Sequence, residues 1–336
     1  MSDPVAASSP AIVYFNGHER KICSSLEEYL TYYSERGPKV KYTKCQSFTT
    51  VLLFMICPGF IIIIPITIIL ILLISWSVKV LIATLIISLI FAIVPICFWP
   101  SLLGMKLFQR YLDYFDFRII FTEPLIATAN RRFMFAAYPH GTFALGDILS
   151  LVAIYACNRM VFRGAAASIL LRVPLLRQFL QLLGIIDASY ATLKLHLLAN
   201  ENIGVNIGGI ADLFAPQEEG VNDVVRNRKG IFRLASDCGN VTVVPTYIYG
   251  NRKLFSRLAD RCGCLKRISR LMRLTVTCFW GRWGLPIPRR TPLLVILGKQ
   301  IDVARNASDL LLQRYQLDLY QNMVDAYELG ARLYDL

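Results

Sequence analysis

One histidine of the chain stands in a setting that suits proton transfer. His140 follows an apolar run, Phe133–Ala137, and lies between Pro139 and Gly141. Proline stiffens a turn, and glycine lets a substrate approach the backbone closely. A neutral imidazole is the side chain best suited to removing a proton near neutral pH. We therefore predict that His140 is a catalytic general base; the alternative is a residue that only shapes the turn.

The other candidate side chains are less distinctive. His18 lies in a polar N-terminal stretch, and His196 lies in a predicted helix, where a structural histidine is the usual explanation. Asp147 follows His140 by about two turns of a helix, so it either orients the ring or is an exposed or capping aspartate. We favour the exposed or capping interpretation. Asp212 follows two glycines at the end of a predicted strand.

Several common catalytic motifs are absent from the sequence. It contains no G-x-S-x-G, no G-x-x-x-x-G-K-[ST] phosphate loop and no H-E-x-x-H. Leu145 stands five residues after His140, so an H-x-x-x-x-D pair is missing as well. The nine cysteines form no C-x-x-C pair, and Cys262 and Cys264 are too closely spaced to indicate zinc. We predict reduced cytosolic thiols and no metal site.

Two clusters of basic residues accompany a net charge of +13. The first comprises Arg226, Asn227, Arg228 and Lys229, and its tight spacing predicts phosphate binding. The second, segment 252–273, carries eight Lys and Arg against one acid. Such stretches attract anionic lipid, a phosphorylated cofactor or nucleic acid. We expect the second cluster to face a membrane, and nucleic acid is the least favoured partner because long apolar runs accompany the charge.

These residues are set among short apolar runs that alternate with helical stretches. Such alternation predicts an α/β domain with a mostly parallel sheet, in which sites collect at the carboxyl ends of strands. His140, Asp212 and Asn251 each follow a predicted strand. The strands are predicted at Phe133–Ala137, Met160–Ser168, Ile203–Ile207, Val241–Tyr249, Leu274–Phe279 and Leu293–Leu297. The helices are predicted at 146–160, 170–183, 189–201, 228–238 and 252–272, with a further helix in the C-terminal tail.

Two long apolar segments precede this domain. Residues 45–78 and 80–105 contain no charged side chain, and 55% of the whole chain is apolar. A spanning helix needs about 20 apolar residues, so we predict a membrane helical hairpin with segments at about 50–75 and 80–100. The alternatives are a re-entrant hairpin and two buried core helices. The predicted organisation is an N-terminal arm (1–44), the hairpin (45–105) and a cytosolic α/β domain with a C-terminal helix (106–336).

The topology follows from the charges that flank the hairpin. Lysines precede and follow it, and the short turn carries only Lys79, so both termini are predicted to lie in the cytosol. The sequons at Asn240 and Asn306 are therefore predicted to carry no glycan. Segment 169–183 is apolar nearly all round, which predicts that it is buried or lies in the bilayer interface.

Six blocks in order resemble the type-2 diacylglycerol acyltransferase family, which includes monoacylglycerol and wax-alcohol acyltransferases. The blocks are YPHG (138–141), P-x-x-R followed by glycine (174–184), GGIAD (208–212), RNRKGIFRLA (226–235), VVPTYIYGN (243–251) and GRWGLPIP…LLVILGKQI (281–301). The family's essential histidine corresponds to His140. Tyr138 replaces the first histidine of the family motif, and Asp212 replaces the usual glutamate.

The resemblance implies an enzyme of the endoplasmic-reticulum membrane, also found at lipid droplets, that joins a long-chain acyl group from acyl-CoA to an acylglycerol hydroxyl. Acyl-CoA would be a co-substrate, no further cofactor is expected, and a homo-oligomer is left open. Diacylglycerol is the expected acceptor. The alternatives are a monoacylglycerol or fatty-alcohol acceptor, an acyl-enzyme formed on Cys238, and a non-catalytic hairpin protein of lipid droplets.

The expected mechanism is a direct transfer in which His140 takes the proton of the acceptor hydroxyl. Backbone N–H groups after Pro139 are candidates to stabilise the oxyanion. Asp212 is expected to fix the imidazole tautomer. The cluster at 226–229 is expected to hold the phosphates of CoA, and Arg177 is expected to anchor CoA or a polar headgroup.

Overall fold

The computed structural model describes most of the chain from residue 77 onward and a few short stretches before it. The described residues are 12–15, 20–23, 28, 31–32, 70–71, 73–74, 77–93, 96–126, 131–173, 176–214, 219–260, 262–272 and 277–334.

Strands and helices alternate through the second half of the described residues. The strands are β1 Ile12–Phe15, β2 Arg20–Cys23, β3 Arg118–Phe121, β4 Arg132–Tyr138, β5 Phe162–Ala166, β6 Ile186–Asp187, β7 Asn202–Asn206, β8 Val241–Tyr249, β9 Ser256–Arg257, β10 Phe279–Trp280, β11 Leu294–Leu297 and β12 Ile301–Val303. The helices are α1 Val78–Ile93, α2 Lys106–Tyr114, α3 Leu145–Asn158, α4 Leu176–Leu182, α5 Tyr190–Leu198, α6 Gly209–Leu213, α7 Asp223–Arg226, α8 Gly230–Cys238, α9 Cys264–Met272 and α10 Asp309–Tyr334.

One large mixed sheet forms the centre of the molecule. Its strand order is β2-β1-β3-β11-β8-β4-β7-β5-β6, and β12 also pairs with β8. Neighbours from β8 to β6 run parallel, as do β3 and β11, so five of the nine pairings among these described strands are parallel. Every residue of β4 and β8 is buried, as expected for strands covered on both faces. The predicted α/β class with a mostly parallel sheet is confirmed.

The two faces of the sheet carry separate apolar clusters. Alternation along β4 sends Phe133, Phe135 and Ala137 to the face covered by α2, α3 and α4. Met134, Ala136 and Tyr138 point to the opposite face, which α8 and α10 cover. The last residue of β4 therefore points away from α3, and the turn that follows decides where His140 lies.

The predicted helix at 252–272 is wrong over its first half. Residues Asn251–Lys253 form a 3₁₀ turn, β9 follows, and only Cys264–Met272 are helical. The physical reason is the burial of Arg252, whose side chain is only 1% exposed, so this stretch cannot be one face of a solvated helix. The Asp260 carboxylate accepts the N–H groups of Leu265 and Lys266, and this contact begins the real helix.

Other predicted elements are shorter than expected or were missed. The strand predicted at Leu274–Phe279 is represented by Phe279–Trp280, and residues 273–276 lie outside the described part. The helix predicted at 170–183 is a 3₁₀ turn at Leu170–Arg172 followed by α4. The missed strands β1, β2, β3, β6 and β12 have four residues or fewer, too few for a periodicity to show. Because β1 pairs with β3, the N-terminal arm adds two strands to the sheet.

Most of the first predicted hairpin segment lies outside the described residues. The second segment is helical as α1, and its side chains are largely exposed, Leu85 and Leu89 by 59% and 60%. None of the helices in the described ranges combines the length and the apolar composition that crossing a membrane requires. After α1, Phe98 packs against Gly184, and the N–H of Trp99 donates to the carbonyl of Leu182 at the end of α4.

Candidate active site

The turn that carries His140 is held by one asparagine from the end of β8. Asn251 Nδ2 donates to the carbonyl oxygens of Pro139 (3.0 Å) and His140 (2.8 Å). Its Oδ1 accepts the N–H of Gly146, in the first turn of α3, at 3.1 Å. Gly141 has φ +62°, and a Cβ there would lie 2.7 Å from the Asn251 carbonyl oxygen. The turn therefore needs glycine at this position, for its positive φ and for the close approach of Asn251 and not for the approach of a substrate that we predicted.

The His140 ring is oriented by its own turn. Nδ1 lies 3.0 Å from the carbonyl oxygen of Gly141. A carbonyl can only accept a hydrogen bond, so Nδ1 carries the proton and Nε2 is left as the basic nitrogen. This is the tautomer that a general base requires at Nε2.

Asp212 contacts the backbone of His140 and not its ring. Its Oδ2 accepts the N–H of His140 at 2.8 Å, and its Oδ1 accepts Arg252 Nη2 at 2.6 Å. Both side chains of this ion pair are at most 1% exposed. The expectation that Asp212 fixes the imidazole tautomer is therefore corrected, because the Gly141 carbonyl occupies Nδ1. The N–H of His140 is also taken, so it is not the oxyanion donor that we expected after Pro139.

Tyr138 belongs to this buried network on the face of the sheet away from α3. Its hydroxyl accepts Arg252 Nη2 at 2.7 Å and the N–H of Asn222 at 3.1 Å. Burial raises the pKa of Tyr138 to about 12, so the phenol stays protonated. Tyr138, which replaces the first histidine of the family motif, thus anchors the end of β4 on the face of the sheet opposite α3.

An apolar cavity of about 470 Å³ lies between α3 and the strands β4, β5 and β7. Two glycines on those strands give room to the lining side chains, since a Cβ on Gly164 would meet Ile185 at 2.6 Å and a Cβ on Gly204 would meet Phe162 at 2.8 Å. Along α3 its wall runs from Leu145 to Ile154, about 14 Å at 1.5 Å per residue. Further apolar lining comes from Phe135, Phe143, Ile148, Leu151, Phe162, Leu170, Leu176, Leu180, Ile185, Phe255, Phe279 and Ile287. Its size and lining are those of a site for an apolar ligand.

The cavity wall carries few polar side chains. They are His140, Thr142, Asp147, Ser150, Asn206, Thr246 and Thr277. Thr142 and Asp147 belong to the turn and helix that follow His140, at the end of the cavity where α3 begins. Asn206 Nδ2 donates to Asp147 Oδ1 at 2.9 Å. Thr142 Oγ1 and Asp147 Oδ2 are buried, and neither has a hydrogen-bond partner within the described part of the chain. Buried polar atoms are rarely left unpaired, so these two indicate a polar ligand group at this end of the cavity.

Asp147 differs from what the sequence suggested. It lies in the first turn of α3, where its carboxylate interacts with its own backbone N–H, and Oδ2 is fully buried. Burial raises the pKa of Asp147 to about 6, and the charge of His140 counteracts this. The expectation that Asp147 is exposed is therefore wrong, whereas the expected contact with the backbone of the first helical turn is present. Spacing from His140 was the available signal, but a helical spacing does not say which helix face meets the sheet.

The basic cluster at 226–229 is only partly brought to the cavity. Arg228 Nη2 donates to the carbonyl of Gly208 at 2.8 Å, beside cavity-lining Gly209. Arg226 lies 4.6 Å over the Tyr320 ring and near Asp223, on the surface. Asn227 Nδ2 donates to the Asp223 carbonyl, and Lys229 is exposed.

The remaining predicted residues lie farther from His140. Arg177 Nε donates to Gln181 along α4, whose residues Leu176 and Leu180 line the cavity. His196 Nδ1 pairs with Glu201, as a structural histidine would. Burial raises the pKa of the Cys238 thiol, and Cys238 does not line the cavity. A nucleophilic cysteine needs a lowered pKa, so this contradicts the thiolate hypothesis.

Two residues that complete the turn were not predicted. Arg252 belonged to a basic stretch assigned to a membrane-facing surface, and Thr142 carried no signal beyond following His140. No group of three or more side chains able to bind a metal is found within the described ranges.

Comparison with known proteins places these features in context. A family profile described as diacylglycerol acyltransferase matches residues 101–324. Diacylglycerol O-acyltransferase 1 of Saccharomyces cerevisiae is 27% identical over 208 residues, which are 56% of this chain and 49% of the yeast protein. The protein of that name from Eremothecium gossypii is 26% identical over 218 residues, 60% of this chain and 46% of the relative. The chain thus spans about half the length of these curated relatives.

One solved structure also resembles this chain. The crystal structure of the 1-acyl-sn-glycerophosphate (LPA) acyltransferase from Thermotoga maritima aligns with a TM-score of 0.42 at 14% sequence identity. The alignment covers 86% of this chain and 98% of that one.

Proposed function

Because the chain belongs to the diacylglycerol acyltransferase family, we propose that it transfers a long-chain acyl group from acyl-CoA to the free hydroxyl of diacylglycerol. Its membership of the type-2 branch rests on the six sequence blocks and is part of this proposal. The observation that carries the proposal is the position of His140 in the wall of an apolar cavity of about 470 Å³, in the turn that leads into α3. A base in the wall of an otherwise apolar cavity suits a reaction at the carbonyl or hydroxyl group at the end of a fatty chain.

The transfer is a single displacement at the thioester carbonyl. The acceptor oxygen forms a bond to the acyl carbon while Nε2 of His140 takes its proton, since an alcohol is too weak an acid to lose it beforehand. The C–S bond then breaks, and the imidazolium returns the proton to the departing CoA sulfur. Atoms and charge balance without an acyl-enzyme, and a thioester is reactive enough to need no metal or further cofactor.

Thr142 replaces the backbone as the candidate oxyanion donor. Its hydroxyl is buried in the cavity wall and has no partner among the described residues, whereas the N–H of His140 is held by Asp212. A hydroxyl of this kind can donate to the thioester oxygen as negative charge develops on it. Losing one such donor typically costs about 10²–10³ in rate.

The CoA portion is assigned to the basic cluster at 226–229, of which Arg228 lies beside the cavity wall. Arg228 lies beside Gly208 and Gly209, and the exposed Arg226 and Lys229 extend the positive surface outward. Guanidinium groups bind phosphate through paired hydrogen bonds. Asn227 and Arg177 keep the supporting roles that the sequence suggested, Arg177 toward CoA or a lipid headgroup.

The lipid acceptor is proposed to enter from a membrane. The apolar helix α1 leads into Phe98 and Trp99, which contact the end of α4, and α4 lines the cavity. This continuity supports an enzyme that works at a membrane. Its location in the endoplasmic-reticulum membrane or at the lipid-droplet surface follows from the family resemblance, and the cytosolic position of both termini follows from the charges that flank the hairpin. The membrane hairpin itself, spanning or re-entrant, remains part of the proposal, as does self-association.

A competition assay tests the activity and the acceptor together. The purified full chain is given labelled long-chain acyl-CoA with equal amounts of diacylglycerol, monoacylglycerol and a fatty alcohol in lipid vesicles, and the products are separated. We expect label mainly in triacylglycerol. Label mainly in diacylglycerol would show that monoacylglycerol is the acceptor. Label mainly in wax ester would show that the fatty alcohol is the acceptor. No acyl transfer to any of the three would leave the non-catalytic lipid-droplet protein as the better account.

A further inference from the structure

We infer that Asp147 is a positioning residue for the reaction, whose ionised carboxylate stabilises the imidazolium that forms on His140 during transfer. The inference rests on the proposed function and extends it to a residue outside the six sequence blocks. Both side chains line the same cavity, Asp147 in the first turn of α3 and His140 in the turn that leads to it.

The Asp147 carboxylate is held in place by a hydrogen bond, but no positively charged side chain forms an ion pair with it in the described part of the chain. Asn206 Nδ2 donates to Oδ1, and Asn206 is itself fixed because its Oδ1 accepts the N–H of Gly208. Oδ2 is buried without a partner within the described residues. A structural carboxylate would normally have its second oxygen satisfied as well.

The negative charge of Asp147 favours protonation of His140. The Nδ1–H of His140 does not donate to Asp147, because it donates to the carbonyl of Gly141. The two groups therefore interact through space, in a cavity whose apolar wall screens charge poorly. When Nε2 gains a proton, an anion nearby lowers the energy of the new positive charge. The charged groups that act on Asp147 are His140, which favours its ionised form, and Asp212, which opposes it.

The stability consequence separates this role from a structural one. Burial raises the pKa of Asp147 from 3.8 to about 6, so the folded chain binds the proton more tightly than the unfolded chain. The ionised carboxylate therefore lowers stability, and this loss develops as pH rises from about 4 to about 6. Neutralising Asp147 should leave the melting temperature at neutral pH unchanged or higher.

The test compares Asp147→Asn with Asp325→Asn, the same change on the exposed surface of α10, in the full chain. The introduced amide keeps an oxygen for Asn206 but loses the charge. We expect kcat for acyl transfer to fall about 10- to 100-fold at pH 7.5, within the range of proton-transfer effects, with KM for acyl-CoA nearly unchanged. The ratio of wild-type to variant kcat should shrink toward one below about pH 5, where Asp147 is protonated. Asp325→Asn should match the wild type throughout.

Two results would overturn the inference. A wild-type kcat in Asp147→Asn, while His140→Ala is inactive, would leave the proposed function standing without Asp147. A lowered melting temperature with a loss of kcat that does not change with pH would make Asp147 structural. Absence of transfer by the wild-type chain would be a failure of the proposed function and not of this inference alone.

Discussion

His140 owes its position to side chains that contact the backbone around it. Asp212 accepts its N–H, and Asn251 donates to its carbonyl. Gly141 leaves space for the Asn251 carbonyl. Because these contacts use the main chain, the ring keeps Nε2 for a substrate. At the scale of single residues, proton transfer by His140 therefore depends on Asp212 and Asn251, which hold the backbone of its turn and do not line the cavity.

The buried Asp212–Arg252 pair is expected to dominate the stability of that turn. Arg252→Met leaves the carboxylate of Asp212 buried without its partner, and breaking such a pair costs about 3–5 kcal/mol. We expect a clearly lower free energy of unfolding in denaturant titration of the purified chain. Arg226→Met is the matched control, since Arg226 and Asp223 are 55% and 82% exposed and such pairs contribute little. An equal loss of unfolding free energy in the two variants would contradict the claim that the Asp212–Arg252 pair stabilises the turn.

Residue types predicted part of the site and could not predict the rest. Pro139, His140 and Gly141 were identified because their order is unusual after an apolar strand. The partner of Asp212 was missed because Arg252 follows forty residues later and looks like one of many surface cations. Asp147 was misjudged because its burial depends on which face of α3 meets the sheet.

At the scale of elements, the cavity depends on α3 lying over strands of small residues. Ile154 lines its far end, nine residues along α3 from Leu145. We expect Ile154→Phe to shorten the cavity and shift the preference of the enzyme toward shorter acyl-CoA, and Ile154→Ala to shift it toward longer chains. The measurement is kcat/KM for a series of acyl-CoA lengths. Because both variants disturb packing, rates are normalised to folded protein. If both variants shifted the chain-length preference in the same direction, or not at all, the acyl chain would not occupy this cavity.

Helix α9 presents a mixed apolar and basic surface beside α6, whose first residues line the cavity. Arg267, Ile268, Arg270 and Leu271 are exposed, Leu271 by 86%. Such a surface suits an anionic bilayer, where each cation contributes about 1 kcal/mol.

Reversing the charge of α9 tests its contact with lipid. In Arg267→Glu/Arg270→Glu we expect KM for diacylglycerol in anionic vesicles to rise at least about tenfold, because two favourable charges become repulsive. In neutral vesicles the effect should be small. Arg314→Glu/Arg332→Glu makes the same change on exposed positions of α10 and should leave both values near those of the wild type. An equal rise in neutral vesicles would mean that α9 acts through folding.

Periodicity predicted the long elements and failed for the short ones. The strands β4, β5, β7 and β8 and the helices α3, α5 and α8 were predicted within a few residues, because each has a clear apolar pattern bounded by glycine, asparagine or charge. The strands β1, β3 and β12 have three or four residues and depend on pairing with distant partners. The predicted helix at 252–272 failed because its first cation is buried in an ion pair.

At the scale of the whole molecule, the features that we propose to face lipid adjoin one cavity. The segment after α1 contacts α4, α9 lies beside α6, and both α4 and α6 contribute to the cavity wall. The sheet places His140 at the inner end of that arrangement. The α/β class could be predicted from alternation, but the strand order could not, since pairings such as β3 with β11 join residues about 175 apart in sequence.

The most direct test of the account is the rate of transfer from labelled long-chain acyl-CoA to diacylglycerol by the full chain and by His140→Ala. If His140 is the general base, the variant should lose at least about 10²-fold in rate while its melting temperature and vesicle binding stay near those of the wild type. A variant that transfers the label at close to the wild-type rate would contradict the central claim.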